Sequence, residues 1–180
     1  MSVSIPDNSC EHPMVYSFEV RDAVGFQLGI DIVLQEVGLI IRHSFTSDLE
    51  IQLRSPAGKT ITLASAHGGY RNNYGNPDDS RCRQTVSFVR EAPAGSLSLH
   101  DPPFIGRFTP DDNLDTFNDG SDPNGMWSLI ICDNYPADKG TLEFVSLTFA
   151  PVSGGPPSER DSSNSRLFNS IFIIKQGNLF

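Results

Sequence analysis

What this chain lacks narrows its class. No window of eleven or more residues keeps a 3.6-residue apolar period, so all-β is the default fold class. No apolar run approaches the eighteen or so residues a bilayer-spanning helix needs. Basic residues are scarce: 13 Lys and Arg stand against 22 Asp and Glu, giving a net charge of −9. Nucleic-acid binders neutralise phosphates with clustered Lys and Arg, so that class is excluded. The acidic balance suits a secreted protein or one that takes up cations. The start, Met1-Ser2-Val3-Ser4-Ile5-Pro6, has neither the basic end nor the apolar stretch of a signal peptide and is not read as one. Only three cysteines occur, Cys10, Cys82 and Cys132, enough for one disulfide with one thiol over. Cys82 sits in a polar loop and Cys132 ends an apolar run, so a Cys82–Cys132 bridge is favoured, with Cys10 left free. Three reduced thiols in a cytosolic protein is the competing reading.

What is present fits many short elements joined by turns. The 180 residues include 15 Gly and 13 Pro, and a chain of this length can hold one domain with extensions. The single Trp lies in the stretch 122–149. There an Asn124-Gly125 turn leads into two β-forming runs, 126–132 and 141–149, which read as a hairpin around an eight-residue loop. Trp127 is the expected centre of the core, with Leu129, Ile131, Leu147 and Phe149 beside it.

Further strands are expected at 16–20 and at 85–89, and one or two buried strands at 31–41 with a kink near Gly38. Leu49, Ile51 and Leu53 alternate with Glu50 and Gln52, and Ser55-Pro56-Ala57-Gly58 turns the chain back into 60–63, which together make a β-hairpin. Residues 1–15 read as irregular. Residues 67–83 form a long loop rich in Asn and Asp with almost nothing aliphatic to bury, and 109–120 form a second acidic loop. After Phe149 the composition changes. A sandwich domain at 1–150 is followed by a Gly, Pro and Ser-rich linker at 151–165 and an apolar tail or added strand at 166–180. That tail docks on its own domain in one reading, and adds to another chain's sheet edge in the other.

Several ordered motifs together resemble one family. They are His43-Ser44-Phe45-Thr46-Ser47-Asp48 running on to Gly58, Asn124-Gly125-Met126-Trp127 running on to Asp133, and Asp138-Lys139-Gly140-Thr141-Leu142 closing on Ser146-Leu147-Thr148-Phe149. Ile5-Pro6-Asp7-Asn8, the 68–74 loop, the Asp78-Asp79 pair and 103–108 carry the same likeness. This succession resembles the P domain (P/Homo B domain) of proprotein convertases, closest to its bacterial branch, over residues 5–150. The resemblance implies a jelly-roll-like antiparallel β-sandwich of eight or nine strands. It also implies a non-catalytic module that packs against a subtilisin-like protease domain and supports its folding and its calcium or pH response. Two departures stand out: no protease domain accompanies the chain, and Val145 or a neighbour replaces the family's usual Trp in the last strand.

Chemistry points the same way. His43 and Ser44 are adjacent, and neighbours on an extended strand face opposite sides, so they form no nucleophile–base pair by sequence proximity. No Gly-x-Ser-x-Gly elbow occurs, and His12, His43, His67 and His100 show no metal-type spacing. His43 is read as a hydrogen-bonding residue at a strand end. Calcium takes six to eight oxygens, so Asp48, Asp78, Asp79, Asp133 and Asp138 are its candidate ligands, with turn capping as the plain alternative. A Cys82–Cys132 bridge would draw Asp79 toward Asp133. The expected partner is a protease domain or another exported protein at the cell surface or outside it. A carbohydrate-binding module using Tyr70, Tyr74 and Tyr135 and a stand-alone hydrolase are the rivals.

Overall fold

The computed structural model describes residues 2–23, 25–78 and 84–152, and the backbone of 170–172. Ten strands occur among them: β1 (Val3–Ile5), β2 (Met14–Val20), β3 (Ile32–His43), β4 (Leu49–Arg54), β5 (Thr60–Ser65), β6 (Val86–Val89), β7 (Gly106–Phe108), β8 (Gly125–Asp133), β9 (Gly140–Pro151) and β10 (Ser170–Phe172). They form two sheets. The larger runs β1-β9-β3-β6-β7, with β10 also on β9, and the smaller runs β2-β8-β4-β5. Pairing is antiparallel except for β6 with β7. The fold is the expected all-β sandwich.

The alternation at 49–53 places Leu49, Ile51 and Leu53, all fully buried, against the other sheet. β4 then pairs with β5 as a hairpin, with a bulge between Ile51 and Gln52. The dense run at 31–41 is one strand. Its inner face holds Leu34, Val37, Leu39 and Ile41, and its centrality between β9 and β6 also buries Ile40 on the outer face. Its irregularities fall at Leu34/Glu36 and Ile40/Ile41 rather than at Gly38.

The stretch 122–149 is not a hairpin. β8 pairs with β2 and β4, whereas β9 pairs with β3, so the connection 134–139 crosses from one sheet to the other. Two apolar runs separated by a short polar loop read alike whether they pair or face each other. Here both apolar faces are inner faces, and each is buried by the other. Trp127 does sit at their meeting point, fully buried, edge-on to Phe117 at 5.2 Å and to Phe149 at 5.9 Å. Its Nε1–H donates to the Pro123 carbonyl at 2.9 Å, so burying the indole leaves no donor unmet. Val145, at the position noted for its missing Trp, is also buried.

The N-terminal residues are not merely irregular. β1 pairs with β9 over Leu142, Thr141 and Gly140, a partner about 140 residues away that no local pattern announces. Cys10 forms the disulfide, with Cys132. This corrects the Cys82–Cys132 pairing expected from the sequence. Cys82 and Asp79 lie outside the described residues, as does the linker at 151–165 beyond its first two positions.

Candidate functional site

The ends of β3, β8 and the loop before β9 converge at one end of the sandwich. His43 closes β3 and Asp133 closes β8, and each is about 1% exposed or less. Asp133 Oδ2 lies 3.1 Å from His43 Nε2, and Asp133 Oδ1 accepts the Tyr135 N–H at 3.1 Å. The disulfide brings the N-terminal segment to the same place. Ser9 N–H donates to the Asp133 carbonyl at 2.7 Å, and Asp133 N–H donates to Ser9 Oγ at 3.2 Å. The other ring nitrogen of His43, Nδ1, lies 2.8 Å from the Phe45 carbonyl. Gly140 is required beside this ring, since a Cβ there would stand 2.4 Å from His43 Cδ2 and 2.8 Å from the Arg42 carbonyl oxygen.

Asp48 and Asp138 flank this pair. Asp48 is buried, and its backbone carbonyl accepts two bonds from Asn134, from N–H at 2.8 Å and from Nδ2 at 3.2 Å. Burial first, then the charges of Asp133 and Asp138, push its carboxyl above the usual carboxylate range; His43 and the Ser47 hydroxyl oppose that rise. Asp138 accepts a hydrogen bond from the Ser44 hydroxyl. Ser44 is thus bonded to a carboxylate and His43 to Asp133 and Phe45. None of the hydrogen bonds of these two side chains joins Ser44 to His43.

Of the five acids named for calcium, the structure brings three together: Asp48, Asp133 and Asp138. Asp78 is held elsewhere, in an ion pair with Arg42 at 2.7 Å. The expected approach of Asp79 to Asp133 loses its basis, because Cys132 is joined to Cys10. Among the described residues no group of three His, Cys, Asp or Glu side chains is arranged to hold a metal ion.

Sequence reasoning missed Ser9, Cys10 and Ser44. Ser9-Cys10 beside Cys132-Asp133 would have been legible only with the pairing known. Tyr74, one of three aromatics considered for sugar contact, is fully buried. It packs tilted against Phe104, ring centroids 5.1 Å apart, exchanges backbone hydrogen bonds with Ile41, and burial raises its phenol far above the usual range. Tyr70 and Tyr135 remain exposed. A cleft of about 550 Å³ opens on the outer side of the larger sheet, lined in part by Val33, Arg90 and Arg107. Both its arginines are already engaged, Arg90 by Asp115 and Arg107 by Glu36, each at 2.7 Å.

The class the fold defines is a two-layer β-sandwich stapled at its acidic end. Residues 34–101, from the start of β3 to past β6, match the family model of the proprotein convertase P-domain, so the family resemblance read from the sequence is shown over that segment. Among solved structures, the chain is similar to one in the crystal structure of Aeromonas sobria serine protease (ASP) and the chaperone (ORF2) complex, at 18% identity and a TM-score of 0.39. That match covers 82% of this chain and 19% of the other, so this chain spans about a fifth of that one's length. No curated protein matches.

Proposed function

We propose that this chain is a non-catalytic P-domain-like module of a secreted or cell-surface protein, and that it stabilises or docks onto a partner such as a subtilisin-like protease. The observation that carries this reading is the P-domain match at 34–101 on a β-sandwich frame. The disulfide supports the compartment, since such bonds persist where the surroundings are oxidising. The test is to mix the chain with a subtilisin-like catalytic domain encoded by the same organism and follow thermal inactivation of the protease. A lengthened half-life is expected, and an unchanged half-life with no co-elution overturns the reading.

Calcium stabilisation is the second part of the proposal, and it rests on the raised Asp48 carboxyl beside Asp133 and Asp138. A divalent cation taken up by Asp48 and Asp138 would relieve that repulsion. The melting temperature should rise with calcium, fall back with EDTA, and lose this response in Asp48→Asn. A melting curve that ignores calcium removes the ion from the proposal.

A further inference from the structure

The register of β10 on β9 fixes where the residues just before β10 come. Ser170, Ile171 and Phe172 pair antiparallel with Phe149, Thr148 and Leu147. Each step back from Ser170 is therefore a step forward along β9, which sets Asn169, Phe168 and Leu167 level with Ala150, Pro151 and Val152. Pro151 has no N–H to give a ladder, so the pairing gains nothing there and the chain before Ser170 is free to leave the edge.

Ala150, Pro151 and Val152 are also one wall of the cleft on the outer side of the larger sheet, and Val33 and Val89 add to its apolar surface. At the rim Arg90 and Arg107 are each held by a carboxylate, Asp115 and Glu36. Neutralised in this way, the two guanidinium groups do not call for an anion, and the cleft suits an apolar occupant. Its volume of about 550 Å³ has room for two large side chains. Residues 153–169 hold two large aliphatic or aromatic residues, Leu167 and Phe168, side by side. They are the pair that the register brings level with the cleft wall.

We propose that this cleft is the seat of Leu167 and Phe168 of the same chain, so that the tail clasps its own domain over the outer ends of β3 and β9. Arg166, next before them, then comes to the rim that carries Glu91, where the charges are complementary. Burial of the two apolar side chains is what anchors β10, since three paired residues by themselves hold a strand only weakly. The sandwich domain accordingly extends to 172 rather than ending at 150, with 153–165 as the connection out of the cleft and back. This proposal does not depend on the functional reading above.

Thiol labelling of the full chain tests it. In a Cys82→Ser background, which keeps the Cys10–Cys132 bond, Val33→Cys places a thiol on the apolar surface of the cleft. Its reaction with a maleimide under native conditions should speed up roughly tenfold when Leu167 and Phe168 are both changed to Ser, because its cover is then lost. Ala57→Cys, at an exposed turn far along the other sheet, should label at one rate with either tail. Val152→Cys, on the cleft wall, repeats the measurement should the Val33 variant fold poorly. A chain carrying both Val33→Cys and Leu167→Cys, treated with a short bismaleimide, should give an internally bridged monomer. Labelling rates at Val33→Cys and Val152→Cys that ignore the tail substitutions overturn the proposal. So does a bridge that fails to form, or that forms only between two chains and thereby seats the tail in a second copy.

Discussion

Replacing Cys10 by Ser should cost this protein a large share of its stability, although Cys10 is itself exposed. The bond it makes with Cys132 closes a loop of 122 residues, most of the domain. In the chain-entropy account, a loop of that length removes about 16 cal/mol/K from the unfolded ensemble, which is about 5 kcal/mol at 25 °C. A typical domain has only about 5–15 kcal/mol in all, so the variant should be marginal at physiological temperature. The loss is not purely entropic. The disulfide also holds Ser9 against Asp133 and keeps β1 within reach of β9, so unpairing should loosen the acidic end first. Urea denaturation of the parent, of Cys10→Ser and of Cys82→Ser checks this, with the parent repeated in reductant. Reduced parent and Cys10→Ser should share a lowered midpoint, and Cys82→Ser should match the oxidised parent. If Cys82→Ser proves the costly change and Cys10→Ser falls within about 1 kcal/mol of the parent, the reasoning is refuted.

Other outcomes follow from the same structure. Because the folded-state carboxyl of Asp48 is raised, the native state holds this proton more tightly than the unfolded chain does. Ionised Asp48 therefore works against folding at neutral pH, and that cost disappears as pH falls below the ordinary carboxylate range. Without calcium, Asp48→Asn should accordingly stabilise the protein at pH 7 and give no gain near pH 3, as read from melting curves at the two pH values. Gly140→Ala drives a Cβ onto the buried His43 ring and the Arg42 carbonyl, and should destabilise by about 1–3 kcal/mol in urea titrations. Trp127→Ala should cost about 3–5 kcal/mol, because the indole is fully enclosed between Phe117 and Phe149. Tyr74→Ala should unfold the protein rather than weaken sugar binding, whereas Tyr74→Phe should cost only about 1 kcal/mol, since it loses just the hydroxyl's bond to the Thr46 carbonyl at 3.3 Å.

The all-β class and the core residues are legible in local sequence patterns. Period-two alternation at 49–53, the turn at Ser55-Pro56-Ala57-Gly58 and the lone Trp127 are local signals, and local signals specify strands, hairpins and the side chains that must leave water. They also singled out His43 as a hydrogen-bonding residue and Asp48, Asp78, Asp79, Asp133 and Asp138 as candidate calcium ligands, without saying which of these acids lie together. Choices between distant partners were settled by folding, not by local pattern. An apolar run does not say whether the next run lies beside it or across from it, so β8 and β9 read as a hairpin and instead face each other from opposite sheets. Three cysteines do not say which two meet, and the chain brings Cys10 to Cys132 because β1 docks on β9 more than a hundred residues later. The acids show the same division. Their residue type was legible, but the partition that gives Asp78 to Arg42, Asp133 to His43, Asp138 to Ser44 and leaves Asp48 raised depends on which strand ends converge, and convergence is a property of the folded sheets alone.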